Sequence, residues 1–303
     1  MLSKAEIYSN INTEWEISQE YLKESRYGLC KYIVDVCQAI RVSNDVASIA
    51  MSLTNYFFVK KCYFNYEKLT LACAAILLAS KQENAQNKFN EISKEYFRFN
   101  SKIFNQINSV LKSEDNQKIK DKIATYEITL LKSLHFDIKI DLPFDFIYVY
   151  SIILYPDNET DIVHTSVRVA NDSFFTYANN VYKNYIVAVS CITIAAKFLA
   201  IPTVFDKEFK HIDNMRKLNV KGRSQEEFEK SLISWDNKSV IIENGNGIDK
   251  DRAKGDSDYF DKLTIAEKIH PKMSMDDLIG CIEMIMEFYI DAKNTAKKNG
   301  ASK

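Results

Sequence analysis

Residues 74–84 read AAILLASKQEN, an apolar run that closes on Lys81, Gln82, Glu83 and Asn84. The preceding LTLAC is nearly as apolar. A helix apolar on every side belongs inside a protein. An ammonium and a carboxylate at its end therefore either mark where the helix meets water or stand there for a partner. Their chemistry is that of ion pairs and charge-assisted hydrogen bonds across an interface.

Parts for catalysis are missing. There is no G-x-x-x-x-G-K-[ST], no G-x-G-x-x-G, no H-E-x-x-H and no G-x-S-x-G. The GNG at 245–247 has no strand before it, so no phosphate cradle is expected. Carboxylates and lysines are abundant, but helix surfaces always carry them, and no pair is singled out for acid–base work. The cysteines (Cys30, Cys37, Cys62, Cys73, Cys191, Cys281) form no C-x-x-C, and His135, His164, His211 and His270 share no ligand spacing. Neither a disulfide framework nor a metal site is expected; the thiols read as reduced core residues of an intracellular protein. No cofactor and no small-molecule ligand are expected. A binding or regulatory protein is favoured over an enzyme.

Only 7 glycines and 4 prolines occur in 303 residues. Both punctuate turns and are excluded from helix interiors, so the chain reads as almost entirely long helices. Forty basic residues against 41 acidic ones leave no global field for nucleic acid or an anionic membrane. The apolar run from Leu69 to Ala79 is too short to span a bilayer, and MLSKAEIYSN has no apolar leader segment.

The elements follow from periodicity. In SRYGLCKYIVDVCQAIR, Leu29, Cys30, Ile33, Val34, Cys37 and Ile40 make one stripe. VSND supplies caps for a helix over VASIAMSLTNYFFVKKC. The run from Tyr66 to Lys81 should be the central helix. FNEISKEYFRF reads as a short amphipathic piece, and the polar SVLKSEDNQKIKDK leads into a helix over IATYEITLLKSLHFDI.

The pattern then restarts. Pro143 opens DLPFDFIYVYSIILY near its first turn, where its fixed φ is useful. DIVHTSVRVANDSFFTYANNVY and YIVAVSCITIAAKFLAIP follow. ILLASK (76–81) and ITIAAK (192–197) place apolar residues, an alanine and a lysine alike, so an internal duplication of a five-helix unit is the economical explanation. The second unit is interrupted at about 210–261, where four of the seven glycines and ENGNGIDKDRAKGDSD predict a surface insertion. Inside it, Ser224 and Glu227 are spaced as a capping box. A last helix, SMDDLIGCIEMIMEFYIDAK, shows a stripe of Leu278, Cys281, Ile282, Ile285 and Phe288. The expected organisation is an N-terminal segment (1–24), a first unit (25–140), a second unit (141–292) and a basic tail (293–303).

Two such units in tandem resemble the double cyclin box. LLASKQEN resembles the end of a cyclin's third helix, and YEITLLKSLHFDI its fifth. WEISQEYLKESRYG, with Trp15, and IDLPFDFI are similar to transcription-type cyclins of the T, K, L and C kind. The resemblance covers about 13–208 and 262–292. It implies an all-α fold of two five-helix bundles and a non-catalytic role: binding a cyclin-dependent kinase and holding its regulatory helix in the active position, in the nucleus. It implies kinase contacts at Lys81, Glu83, Glu127, Phe136 and Ile138.

Departures from the family are specific. Where cell-cycle cyclins carry Met-Arg-Ala-Ile-Leu for substrate docking, this chain reads SRYGL (25–29). Arg26 and Leu29 match, while Ser25 and Gly28 remove much of the apolar groove. The His-Arg-Phe of many transcription cyclins is Asn55-Tyr56-Phe57, and Asn84 replaces a usual second acid. A general transcription factor with the same duplicated fold, bridging polymerase and promoter, should add a basic stripe and a cysteine-paired zinc ribbon, and this sequence shows neither. An inert helical scaffold would leave the Lys81 and Glu127 match to chance.

Overall fold

The computed structural model describes residues 2–9, 16–85, 88–103, 113–203 and 273–300. Every regular element among them is helical: α1 (Lys4–Tyr8), α2 (Gln19–Ala39), α3 (Asn44–Lys60), a 3-10 turn (Tyr63–Asn65), α4 (Lys68–Gln82), α5 (Phe89–Ile103), α6 (Ser113–Ser133), α7 (Phe144–Leu154), α8 (Glu159–Ser173), α9 (Ala178–Val181), α10 (Asn184–Phe198) and α11 (Met275–Gly300). The chain divides into one unit of Met1–Leu142 with Asn179–Val181, and a second of Pro143–Ala178 with Tyr182–Lys303. Trp15, the predicted insertion at 210–261 and its Ser224/Glu227 box lie outside the described residues.

In the first unit α4 is the axis, packed by α2, α3, α5 and α6. Every residue from Thr70 to Ser80 is buried. Alanines at 72, 74, 75 and 79 let neighbours approach closely without a gap. The stripe predicted on α2 is wholly buried, from Leu29 through Ile40. Ser18 and Ser43 are the N-caps of α2 and α3, accepting from Tyr21 N at 3.2 Å and Val46 N at 3.4 Å. Each satisfies a backbone donor that the first turn leaves orphaned.

Helix ends explain how so few glycines suffice. Arg41, Asn84 and Ala200 adopt φ of 56°, 50° and 56° just past α2, α4 and α10. There Ala85 N donates to Ser80 O, and Ile201 N to Ala196 O, both at 2.9 Å. The left-handed turn costs a non-glycine residue about 1 kcal/mol, which the recovered carbonyl bonds offset.

The fifth long helix begins earlier than its apolar period suggests. The polar stretch before residue 123 is already helical from Ser113. It contains no glycine or proline, Glu114 and Asp115 favour the positive end of the helix dipole, and Gln117 Nε2 donates to Asp121 Oδ1 at 2.8 Å. The helix also stops earlier, at Ser133, because His135 and Phe136 turn left-handed.

The second unit repeats the plan around α10, which is packed by α7, α8 and α11. Like α4, α10 has 15 residues with a lysine, Lys197, next to last, and it buries every residue from Ile186 to Ala196. Pro143 immediately precedes α7. The α11 stripe of Leu278, Cys281, Ile282, Ile285 and Phe288 is buried throughout. Among the described residues the first unit holds five long helices and the second four, α7, α8, α10 and α11.

Two kinds of buried group stand out. All six cysteines are free and buried, and burial pushes the Cys30 and Cys73 thiols up to about 12, which keeps them unreactive. In the second unit Asp172 is enclosed on α8, where Tyr289 Oη donates to its Oδ2 at 2.9 Å and, among the described residues, Oδ1 has no hydrogen-bond partner. Burial raises this carboxyl to about 8, against the lowering effect of the Tyr289 bond. Among the described residues no helix is long and apolar enough to cross a membrane.

Candidate partner-binding site

The site grows from the packing of α4 against α6. At the start of α4, Glu67 N donates to Tyr126 Oη at 3.0 Å, and the Glu67 carboxylate pairs with Lys122 and accepts from Tyr96 Oη. Burial raises the Glu67 carboxyl, but the Lys122 and Tyr96 bonds outweigh it and hold it below the ordinary carboxylate range. At the other end of α4, Lys81 Nζ lies 2.6 Å from Glu127 Oε1. One stretch of α6 thus holds both ends of α4. That fixes where Lys81 emerges.

Lys81 and Glu127, two of the residues the resemblance pointed to, are therefore brought together. The carboxylate is largely covered, while most of the lysine side chain faces solvent. Its stem leaves the buried surface of α4 and its ammonium, with three N–H donors, uses one on Glu127 Oε1. Glu83 is exposed at the C-cap of α4.

α6 and the turn that follows it leave apolar residues exposed. Ile128, next to Glu127, is 53% exposed, and Phe136 is 68% exposed. About 9 Å of helix rise separates Glu127 from the last helical residue, Ser133. Beyond it His135 and Phe136 both take positive φ, 51° and 63°. The turn closes with His135 N on Lys132 O at 3.2 Å and Phe136 N on Leu131 O at 2.9 Å. Two consecutive left-handed non-glycine residues cost roughly 1–2 kcal/mol each, and here they hold a phenyl ring in water. Ile138 is half-buried.

Sequence periodicity did not single out Ile128. Its signal was available: the buried stripe of α6 runs through Ile123, Leu130 and Leu134, and Ile128 falls off it.

Arg26 and Leu29 are both buried. Leu29 belongs to the α2 core stripe, and the Arg26 guanidinium lies 5.3 Å from the Tyr27 ring centroid. Gly28 faces open space, with nothing within 4 Å of where a Cβ would sit. Nearby on the same helix, Tyr21 stacks on the exposed Phe64 with ring centroids 5.8 Å apart. Lys68 Nζ donates to Tyr21 Oη at 2.8 Å, which lowers the phenol below its ordinary value. This cluster is aromatic and cationic.

Residues 1–139 match the cyclin N-terminal domain. The chain is 25% identical to human Cyclin-L2 over 174 residues, which is 57% of this chain and 34% of that protein. It is 26% identical to Cyclin-T1.2 of Caenorhabditis elegans over 225 residues, 70% of this chain and 38% of that one. The chain spans about a third of the length of these curated relatives. Among solved structures it is similar to a chain of the yeast RNA Pol II CTD kinase CTDK-1 complex, with a TM-score of 0.56 at 13% identity, covering 72% of this chain and 70% of that chain. That likeness establishes the fold.

Proposed function

We propose, from the match of residues 1–139 to the cyclin N-terminal domain and the similarity to Cyclin-L2 and Cyclin-T1.2, that the chain binds and activates a cyclin-dependent protein kinase. In this reading it is the non-catalytic, regulatory subunit of a nuclear kinase complex that phosphorylates the C-terminal domain of RNA polymerase II. The observation that carries it is the exposed Lys81 ammonium anchored on the nearly buried Glu127, on the same helix that turns Ile128 outward and ends in the strained, solvent-facing Phe136.

The chemistry suits a kinase's regulatory helix. Lys81 can donate, and Glu83 and Glu127 can accept, hydrogen bonds from partner backbone or side chains. Ile128 and Phe136 offer apolar anchors whose burial against a partner would remove water from the rim of the ion pair. Phe136 needs no further ordering, because its backbone is already closed by the Leu131 and Lys132 bonds.

The test is activation. The purified chain is mixed with individual transcription-linked cyclin-dependent kinases, and transfer of phosphate to a polymerase C-terminal-domain peptide is followed. Stimulation of one kinase by the wild-type chain, and its loss with Lys81→Ala, is the expected outcome. Absence of both binding and stimulation across the panel would sink the reading.

A further inference from the structure

Among the described residues, one face of the first helix of the second unit is left exposed. On α7, Ile147, Tyr150 and Ser151 are buried, on the side packed against α8 and α10. Phe146 extends that side, with its ring centroid 5.5 Å from Tyr150 and 6.3 Å from Tyr185. On the opposite side Asp145, Val149, Ile152 and Ile153 share one face at helical spacing, and all four are exposed, Ile153 by 61%. Single exposed apolar residues are ordinary; three adjacent ones on one helix face mark a surface to be covered.

The charged residues that flank this stripe in the chain have one sign. Asp145 lies one turn before Val149, and Asp157, Glu159 and Asp161 follow the helix, all exposed. No lysine or arginine occurs from Leu142 to Val163. Among the described residues none of these four carboxylates carries an ion pair. Such a rim repels nucleic acid and anionic membranes. A second copy of the same face would set four carboxylates against four, which disfavours self-association.

We infer that the Val149/Ile152/Ile153 face of α7 is a docking site for a basic amphipathic helix of another protein. The partner would lay apolar residues at i, i+3 and i+4 against the stripe and place lysines or arginines against Asp145, Asp157, Glu159 and Asp161. The inference concerns the second unit and does not depend on the kinase reading.

The full chain is titrated, by fluorescence anisotropy, into a labelled synthetic helix with leucines at i, i+3, i+4 and i+7 and lysines elsewhere. A matched helix with glutamates in place of the lysines is the control. The lysine helix should bind and the glutamate helix should not. Ile152→Ser with Ile153→Ser should weaken binding by about tenfold or more, since those two residues supply the apolar anchors. Asp157→Asn, Glu159→Gln and Asp161→Asn together should weaken it at low salt and flatten its salt dependence. Thermal unfolding of each variant should match wild type, because every altered side chain is exposed. No binding of the lysine helix, equal binding of the glutamate helix, or equal affinity in both sets of variants would overturn the inference.

Discussion

Lys81 Nζ stands 2.6 Å from Glu127 Oε1, joining residues 46 apart in the chain, with the lysine side chain 57% exposed and the glutamate 12%. In the free chain an ion pair this open contributes only about 0–1 kcal/mol. Covered by a partner, the same pair is desolvated, and removing one member leaves the other charge buried alone at a cost of roughly 3–5 kcal/mol. Lys81→Ala and Glu127→Ala should each weaken kinase binding by about a hundredfold or more while leaving thermal unfolding of the free chain nearly unchanged. The double variant should cost less than the two singles added, since each already loses the shared contact. A titration of all three against the cognate kinase checks this, and wild-type affinity in both singles would remove the site.

Phe136 separates binding from stability. Its φ of 63° is a conformation that glycine adopts without penalty, and its ring is 68% exposed, so little packing is lost on truncation. Phe136→Gly should therefore stabilise the free chain by about 1 kcal/mol or leave it unchanged. Kinase binding should fall by at least about tenfold as the apolar anchor disappears. Calorimetry and the same titration test the two signs; a clear loss of stability would mean that the ring packs in solution.

Gly28 sits inside α2 with open space where a Cβ would stand. Gly28→Ala should stabilise the first unit by about 0.5–1 kcal/mol, through the lower backbone entropy of the unfolded chain. Denaturant unfolding at constant slope would register it. A destabilisation would show that the position is not free.

The pH response of the second unit should depend on Asp172. Its folded-state carboxyl is raised from 3.8 to about 8 by burial. A raised pKa means that the native state keeps its proton after the unfolded chain has lost its own. The contribution is thus fully present below about 4 and is lost as pH rises toward about 8. In Asp172→Asn the fall in thermal midpoint between those values should flatten, with Tyr289 Oη still donating to the side-chain oxygen. Identical pH profiles for variant and wild type would show that Asp172 is ionised in the fold.

The sequence by itself determined the helical class, the central place of α4 and α10, and the buried stripes of α2 and α11. These depend on local quantities: the scarcity of glycine and proline, uninterrupted apolar runs and the 3.6-residue period. Lys81 also stood out, because a charge closing an apolar helix is visible without coordinates, whereas Glu127, inside α6, was implied only by the resemblance. What only the tertiary structure decided were relations between distant residues. The ten residues opening α6, polar but for Ile119, carry no apolar period, and their helicity rests partly on Lys122 reaching Glu67. Ile128 is as apolar as Ile123, yet one faces water and the other the core, because α4 covers a single side of α6. Asp172 reads as a surface acid on a polar helix until α10 and α11 close over it. In each case the deciding term is burial against a partner helix, which depends on packing and not on the residues' immediate neighbours in the chain.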